Sequence, residues 1–285
     1  MELWFSEKHT ENVKLSIKID KQLYSENSGF QRIDVFDTVD FGRCLTLDGF
    51  MMLTEKDEFV YHEMITHVPM AVHPRPENIL VVGGGDGGAV RELVKYRGVK
   101  RVDLVEIDKA VVDAAKKYLP FTASGLKDKR VSVYYEDGLK FMRKCDGEYD
   151  LIIVDSTDPF GNGEVLFTKE FYSNCNRALK DDGIMVNQHE SAFYQNDAAA
   201  MQKAHKLITQ CFGISRLYQA HIPTYPSGNW LFGFSSKKYH PVKDLRSKDW
   251  NSLKIKTKYY NTNLHRGAFY LPNYVEELLK NVEKS

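Results

Sequence analysis

Apolar and polar residues alternate in short runs through the first sixty positions, as in Lys14-Leu15-Ser16-Ile17-Lys18-Ile19 and Arg32-Ile33-Asp34-Val35-Phe36. A period of two predicts antiparallel strands with one wet face. Turn residues at Asn27-Ser28-Gly29, Phe41-Gly42 and Asp48-Gly49 divide these runs into hairpins, so residues 1–56 are expected to form a small β domain. The pattern changes near Glu55: Glu58 to Ile65 reads as helix and opens a second domain over residues 57–285. From Asn78 onward, short and largely apolar runs alternate with helix-period segments. Strands are expected at Ile79–Val82, Val102–Val105, Val131–Tyr134, Leu151–Val154 and Ile184–Asn187, with two more near 214–221 and 230–235. Helices are expected near Ala89–Tyr96, Lys109–Tyr118, Leu139–Lys144, Thr168–Leu179 and Ala198–Cys211. Apolar strands are buried on both faces, which is the signature of a parallel sheet covered by helices, a doubly wound α/β domain.

Gly83-Gly84-Gly85-Asp86-Gly87-Gly88 follows the first buried strand and opens a helix, and its glycines at 83, 85 and 88 satisfy G-x-G-x-x-G. The pattern alone is weak evidence, but the strand end is where open α/β sheets bind ligands. Eighteen residues after Gly88, Glu106 ends the second strand, where an acid can accept from both hydroxyls of a ribose. Asp86 inside the loop would repel a pyrophosphate, so a nucleoside with a cationic tail fits better; S-adenosylmethionine and its relatives carry a sulfonium and an amine. Asp137 after the third strand is placed to accept from an adenine amino group. The alternative for Glu106 and Asp137 is that they are merely solvated strand-end acids or helix N-caps. Leu151–Val154 delivers Asp155-Ser156-Thr157-Asp158-Pro159 to the same sheet edge. Two acids there can bind a dication, or one can take the proton that an amine must lose before it attacks carbon. The same residues also make good turn and capping chemistry.

Composition narrows the choice of partners. Of 285 residues, 39 are Lys or Arg and 39 are Asp or Glu, for a formal charge of zero. Neutrality disfavours nucleic acid or a membrane surface as the main partner. No apolar stretch approaches a bilayer span and the start lacks a signal segment, so a cytoplasmic location is expected. Cys44, Cys145, Cys175 and Cys211 are too far apart in sequence for a CxxC pair and read as reduced small hydrophobes. His62-Glu63-Met64-Ile65-Thr66-His67 imitates a zinc motif, but histidines five apart diverge by about 140° around a helix and cannot share one zinc. No metal is expected. The segment from Lys237 to Lys258 carries eight Lys or Arg against two Asp and reads as a solvated face rather than a nucleic-acid patch.

The chain resembles the polyamine aminopropyltransferases, specifically spermidine synthases. The likeness runs nearly end to end through Leu3-Trp4, Gly29-Phe30-Gln31-Arg32-Ile33, Leu47-Asp48-Gly49, Asp57 to Met64, the Gly83–Gly88 loop, Val105-Glu106-Ile107-Asp108, Asp137-Gly138, Asp155 to Pro159 and Pro223 to Gly228. It implies a Rossmann-like, methyltransferase-type doubly wound sheet with a small N-terminal antiparallel β domain. It further implies transfer of the aminopropyl group of decarboxylated S-adenosylmethionine to putrescine, giving spermidine and 5′-methylthioadenosine, with no cofactor and no metal. Gln31, Gly83, Gly85, Glu106, Ile107, Asp137, Gly138 and the loop residue Asn162 would hold the methylthioadenosine part, and Asp86 the aminopropyl amine. Asp155 would accept the proton with Tyr61 assisting. Tyr61, His62, Asp86, Asp155, Asp158, Gln188 and Tyr225 would line the amine channel, and the assembly would be a homodimer or homotetramer. The residues agree on one point: Asp86 would attract the ammonium of a decarboxylated donor and repel the carboxylate of ordinary S-adenosylmethionine. Gly161-Asn162 stands where the family commonly has Gly-Pro, and Asn187-Gln188-His189-Glu190-Ser191 falls where it varies. An amine N-methyltransferase and a non-catalytic nucleoside or polyamine sensor are the rival readings.

Overall fold

A computed structural model describes residues 2–156, 165–280 and 282. Within them the first sheet is an antiparallel meander of β1 (Leu3–Lys8), β2 (Lys14–Asn27), β3 (Arg32–Thr38), β4 (Gly42–Leu47) and β5 (Phe50–Thr54), paired in chain order. β2 continues well past the alternating run that predicts it. Register shifts between Ile19 and Lys21 and between Gln22 and Tyr24 turn its faces over, so the period of two fails while the pairing to β3 continues.

Helix α1 (Glu58–Met70) follows at once and is buried on nearly every side, from Val60 to Met70. A helix enclosed all round needs no amphipathic stripe. The second sheet comprises β6 (Asn78–Gly83), β7 (Arg101–Val105), β8 (Val131–Tyr134), β9 (Tyr149–Asp155), β10 (Leu179–Gln188), β11 (Ile214–Ala220) and β12 (Trp230–Ser236), in the order β11-β12-β10-β9-β6-β7-β8. Helices α2 (Gly88–Leu93), α3 (Lys109–Tyr118), α4 (Pro120–Ala123), α5 (Gly138–Met142), α6 (Lys169–Ala178), α7 (Gln195–Thr209), α8 (Ser247–Ser252), α9 (Thr262–Ala268) and α10 (Asn273–Leu279) complete the fold among the described residues. No helix among them is long and apolar enough to cross a membrane.

Side-chain alternation along the parallel strands builds two cores. Ile79, Val81, Leu151, Ile153, Ile184 and Val186 pack on one face, with α1 and the first sheet, while Leu80, Val82, Ile152, Val154 and Met185 pack on the other, with α5 and α6. The sheet is mixed: β12 runs antiparallel to both β10 and β11. β12 is buried at all seven positions and so carries the same apolar signal as a parallel strand. β10 starts earlier than its apolar core predicts, because Leu179 pairs with Tyr149 before a register shift leads to Ile184. The order of strands along the chain reverses at β6, with β7 added on one side and β9 on the other, both parallel to it, and this switch point opens a crevice at the strands' carboxyl ends.

Candidate active site

Gly83 ends β6 opposite Asp155, the last residue of β9. Its φ of +79° lies in the left-handed region, and a Cβ there would stand 2.2 Å from the Asp155 carbonyl oxygen, so both the turn and the close approach require glycine. The Asp86 carboxylate accepts from the amide of Gly88, the first residue of α2, at 2.8 Å. Gly88 lies flat against the His62 ring, where a Cβ would come within 2.3–2.4 Å of its ring atoms.

Glu106 follows β7 and is buried, with one carboxylate oxygen accepting from the Gly85 amide at 3.2 Å and the other from the Asp108 amide at 2.9 Å. Burial pushes its carboxyl up to about 7 against the help of those two amides. The acid is thus tied to the glycine loop, open to protonation while it faces no ligand. Asp137 caps α5 through the Lys140 amide at 3.0 Å, so capping is what it does in this structure, and it also lines the cavity described below. Gln31 comes from the first sheet and donates to Asp108 at 3.0 Å, beside the Ser28 hydroxyl at 2.6 Å on the same oxygen. Asp108 is a site-forming residue that pattern reading passed over, although it lies in the Val105–Asp108 motif.

The Tyr61 hydroxyl donates to Asp155 Oδ1 at 2.6 Å, while Asp155 Oδ2 is buried without a hydrogen-bond partner among the described residues. Burial and the neighbouring Asp86 charge raise the Asp155 carboxyl to about 6, even though His62 and the Tyr61 hydrogen bond act the other way. Burial, with the Asp155 charge, holds the Tyr61 phenol well above its ordinary range, so it serves as a donor. His62 faces two acids: Nδ1 lies 2.6 Å from Glu58 and Nε2 3.2 Å from Asp86. Burial alone would lower its pKa, yet the Asp86 and Glu58 carboxylates outweigh that and raise it to about 10, so the ring is an imidazolium at neutral pH. Arg91 grips Glu58 with two nitrogens at 2.7 and 2.9 Å. Against the effect of burial, His62 and Arg91 together lower Glu58 to about 2. Glu58 and Arg91 also escape pattern reading; the spacing of Glu58 four residues before His62 on one helix is the signal that could have found them.

One ligand atom each from His62, Asp86 and Asp155 lies within 4.8 Å of the others. Two of the three are carboxylates, a donor set that also suits an ammonium or sulfonium. His67 is turned away and fully buried, with Nδ1 2.8 Å from the Tyr96 hydroxyl and Nε2 2.9 Å from Glu92, as the five-residue spacing requires.

These groups share one cavity of about 300 Å³. Gln31, Gly83, Gly85, Glu106, Ile107, Asp137 and Gly138 line it together with Tyr61, His62, Asp86, Asp155, Gln188 and Tyr225. In the strand order β10-β9-β6-β7-β8, Asp155 at the end of β9 stands between Gln188 at the end of β10 and the acids that follow β7 and β8. Tyr225 belongs to the loop over Pro223–Gly228, which is fastened to the first sheet and to the start of α1: its hydroxyl donates to the Met52 carbonyl at 2.9 Å, and Thr224 donates twice to Asp57. Asp158 and Asn162 lie outside the described residues. The Lys-rich stretch from Lys237 to Lys258 lies away from this cavity and is largely exposed, with Arg246 paired to Asp249 and Lys258 over the Phe59 ring.

A mixed seven-stranded sheet with a glycine loop after its central strand and acids at the neighbouring strand ends defines a transferase of the Rossmann-like, methyltransferase-like class. Residues 58–246 match the spermine/spermidine synthase domain, and residues 3–55 match the spermidine synthase tetramerisation domain. The chain belongs to the spermine/spermidine synthase family. It is 64% identical over 284 residues to a polyamine aminopropyltransferase of Alkaliphilus oremlandii, covering all of both chains, and 64% identical over 279 residues to one of Clostridium beijerinckii, covering 98% of each. A crystal structure of spermidine synthase in complex with the transition state analogue AdoDATO superposes with a TM-score of 0.95 at 43% identity, covering 97% of this chain and 94% of that one. The spermidine synthase of Thermotoga maritima superposes with a TM-score of 0.93, with the same identity and coverage.

Proposed function

We propose that the chain transfers the aminopropyl group of decarboxylated S-adenosylmethionine to putrescine, giving spermidine and 5′-methylthioadenosine. The observation that carries this reading is the Asp155 carboxylate, with Oδ1 held by Tyr61 and a buried Oδ2 without a partner among the described residues, on a strand that lies between those carrying Glu106 and Gln188 to the same cavity. Glu106 takes the ribose hydroxyls, and Asp137, with Gln31, Ile107 and Gly138 around it, the rest of the nucleoside. Asp86 takes the ammonium of the donor's propyl arm. Putrescine lies toward Gln188 and Tyr225 with one nitrogen at Asp155 Oδ2. That nitrogen gives its proton to Asp155 and attacks the carbon next to sulfur. The new C–N bond forms as the C–S bond breaks, and the electron pair stays on sulfur, which leaves as a neutral thioether. Proximity and a held base supply the catalysis, and the leaving group travels with the donor, so no cofactor is required. The working form is a homodimer or homotetramer, in keeping with the family matched by residues 3–55.

The test offers the purified protein putrescine with either decarboxylated or ordinary S-adenosylmethionine and reads the products by mass. Spermidine and methylthioadenosine from the decarboxylated donor alone are expected. A methylated amine from the ordinary donor, with no product from the decarboxylated one, would overturn the reading in favour of an N-methyltransferase.

A further inference from the structure

The same cavity is lined by more than the residues assigned so far. Its lining also includes Glu190, which follows β10, Asn196 and Asp197 in the first turn of α7, Glu7 at the end of β1 and His9 just after it. These residues belong to two domains and meet through one imidazole. His9 Nε2 lies 3.0 Å from Asp197 Oδ2, its Nδ1 lies 3.6 Å from Glu7 Oε1, and its ring packs on Tyr194 with centroids 4.4 Å apart. The side chain is only 14% exposed, so it is enclosed between the carboxylates. Glu7 is itself anchored, accepting from the Met51 amide at 2.8 Å. Lys8, the adjacent cation, is directed to Glu11 at 2.9 Å.

The strand order and the chain path out of β10 indicate where this imidazole sits. The nucleoside acids follow β7 and β8, the base ends β9, Gln188 ends β10, and Asp197 stands in the first turn of α7, the helix that follows β10. An amine whose near nitrogen reaches Asp155 therefore extends across β10 toward His9, a lateral step of about 5 Å per strand. At that end it meets two acids, each already facing an imidazole nitrogen. We propose that His9 closes the far end of the amine channel and sets the length of the acceptor: with the ring in place the channel fits a short diamine, and without it Glu7 and Asp197 become a second ammonium subsite for a longer polyamine. This rests on the reading of the cavity as an aminopropyl-transfer site. The wall is steric and the subsite is electrostatic, so the same residue both rejects the longer amine and masks the charges that would hold it.

The experiment compares kcat/KM for spermidine and for putrescine in the wild type, His9→Ala and His9→Gln, with decarboxylated S-adenosylmethionine as donor. His9→Ala is expected to raise the spermidine-to-putrescine ratio by about tenfold or more, the worth of one charge-assisted hydrogen bond. His9→Gln keeps bulk and a donor to Asp197 and is expected to stay near the wild-type ratio. His9→Ser opens the same space with a polar side chain and replaces His9→Ala if the latter is insoluble. A ratio within about twofold of wild type in a folded His9→Ala or His9→Ser protein overturns the proposal. Failure of the underlying reading looks different: the wild type itself then gives no aminopropyl product with either amine, and both readings fall together.

Discussion

Replacing Asp155 by Asn separates catalysis from folding, because the two should move in opposite directions. The amide keeps the shape of the carboxylate and still offers Tyr61 an oxygen to donate to, so the contact at 2.6 Å survives. What disappears is the base and a buried negative charge. General base catalysis contributes about 10²–10⁴-fold, so turnover should fall by at least ~10²-fold with putrescine saturating. Stability should rise. Asp155 is held at about 6, against about 3.9 for an unfolded chain, because burial and Asp86 disfavour its ionised form. At about 1.4 kcal/mol for each factor of ten in proton affinity, the ionised group destabilises the unliganded fold by roughly 3 kcal/mol at neutral pH, an upper bound given residual hydration. A folded-state pKa above the unfolded one means that the folded state binds the extra proton between about pH 4 and 6. Wild-type stability therefore falls as pH rises through that window, and Asp155→Asn should not share the fall. The assay is a thermal melt of both unliganded proteins at pH 5 and pH 7.5, alongside steady-state rates. Asn should melt higher by several degrees at pH 7.5 and by about half as much at pH 5. A melting point lowered at pH 7.5, or turnover within tenfold of wild type, would refute the electrostatic account.

Three further outcomes follow from the same geometry. Asp86→Asn should weaken the donor KM by about 10–100-fold, one charged hydrogen bond, and narrow the preference for the decarboxylated donor over the ordinary one; steady-state kinetics with both donors checks this, and an unchanged preference removes Asp86 from donor selection. Gly88→Ala puts a methyl 2.3–2.4 Å from the His62 ring atoms, so the ring or the first turn of α2 must shift; a melting point lowered by several degrees and a weaker donor KM are expected, and a protein indistinguishable from wild type would contradict the contact. His62, raised to about 10 against an unfolded value near 6.5, contributes stability that is fully present below about pH 6.5 and is lost as pH rises toward 10. Melts from pH 6.5 to 10 should accordingly decline less steeply for His62→Gln than for the wild type, and parallel curves would count against the imidazolium.

What could be read from the sequence was whatever is local. A glycine loop between an apolar strand and a helix, and an acid directly after each of the next strands, are neighbours in sequence, so Asp86, Glu106, Asp137 and Asp155 stand at one sheet edge as the spacing implies. The first sheet was legible in its alternating runs, but not in the bulged length of β2, where the alternation inverts. The reversed direction of β12 left no trace, because burial on both faces looks the same whichever way a strand runs. Least legible were the long-range pairings: Gln31 to Asp108, Tyr61 to Asp155, Glu58 to Arg91 and His9 to Asp197 join residues 77, 94, 33 and 188 positions apart. No period or motif encodes such contacts; they arise from how the first sheet and α1 settle on the second.

Zero net charge conceals a deliberate local imbalance. Asp86, Glu106 and Asp155 line one cavity, and within it His62 is the buried cation whose two nitrogens both face acids. Arg91 balances Glu58 rather than the cavity itself, leaving the imidazolium to offset Asp86. Glu106 near 7 and Asp155 near 6 are therefore only partly committed to charge in the unliganded site. A sulfonium or ammonium ligand favours the ionised form of each, so its arrival lowers both proton affinities and is coupled to proton release. A neutral nucleoside lacks the charge attraction and keeps only the smaller coupling that its ribose hydroxyls make with Glu106. The advantage in affinity of a cationic donor over its neutral thioether product should consequently narrow as pH falls from 8 to 6, with the donor losing more affinity than the thioether. Binding isotherms of 5′-methylthioadenosine and of the decarboxylated donor across that range test the coupling, and equal pH slopes for the two would show that the carboxylates are already fully charged before either ligand arrives.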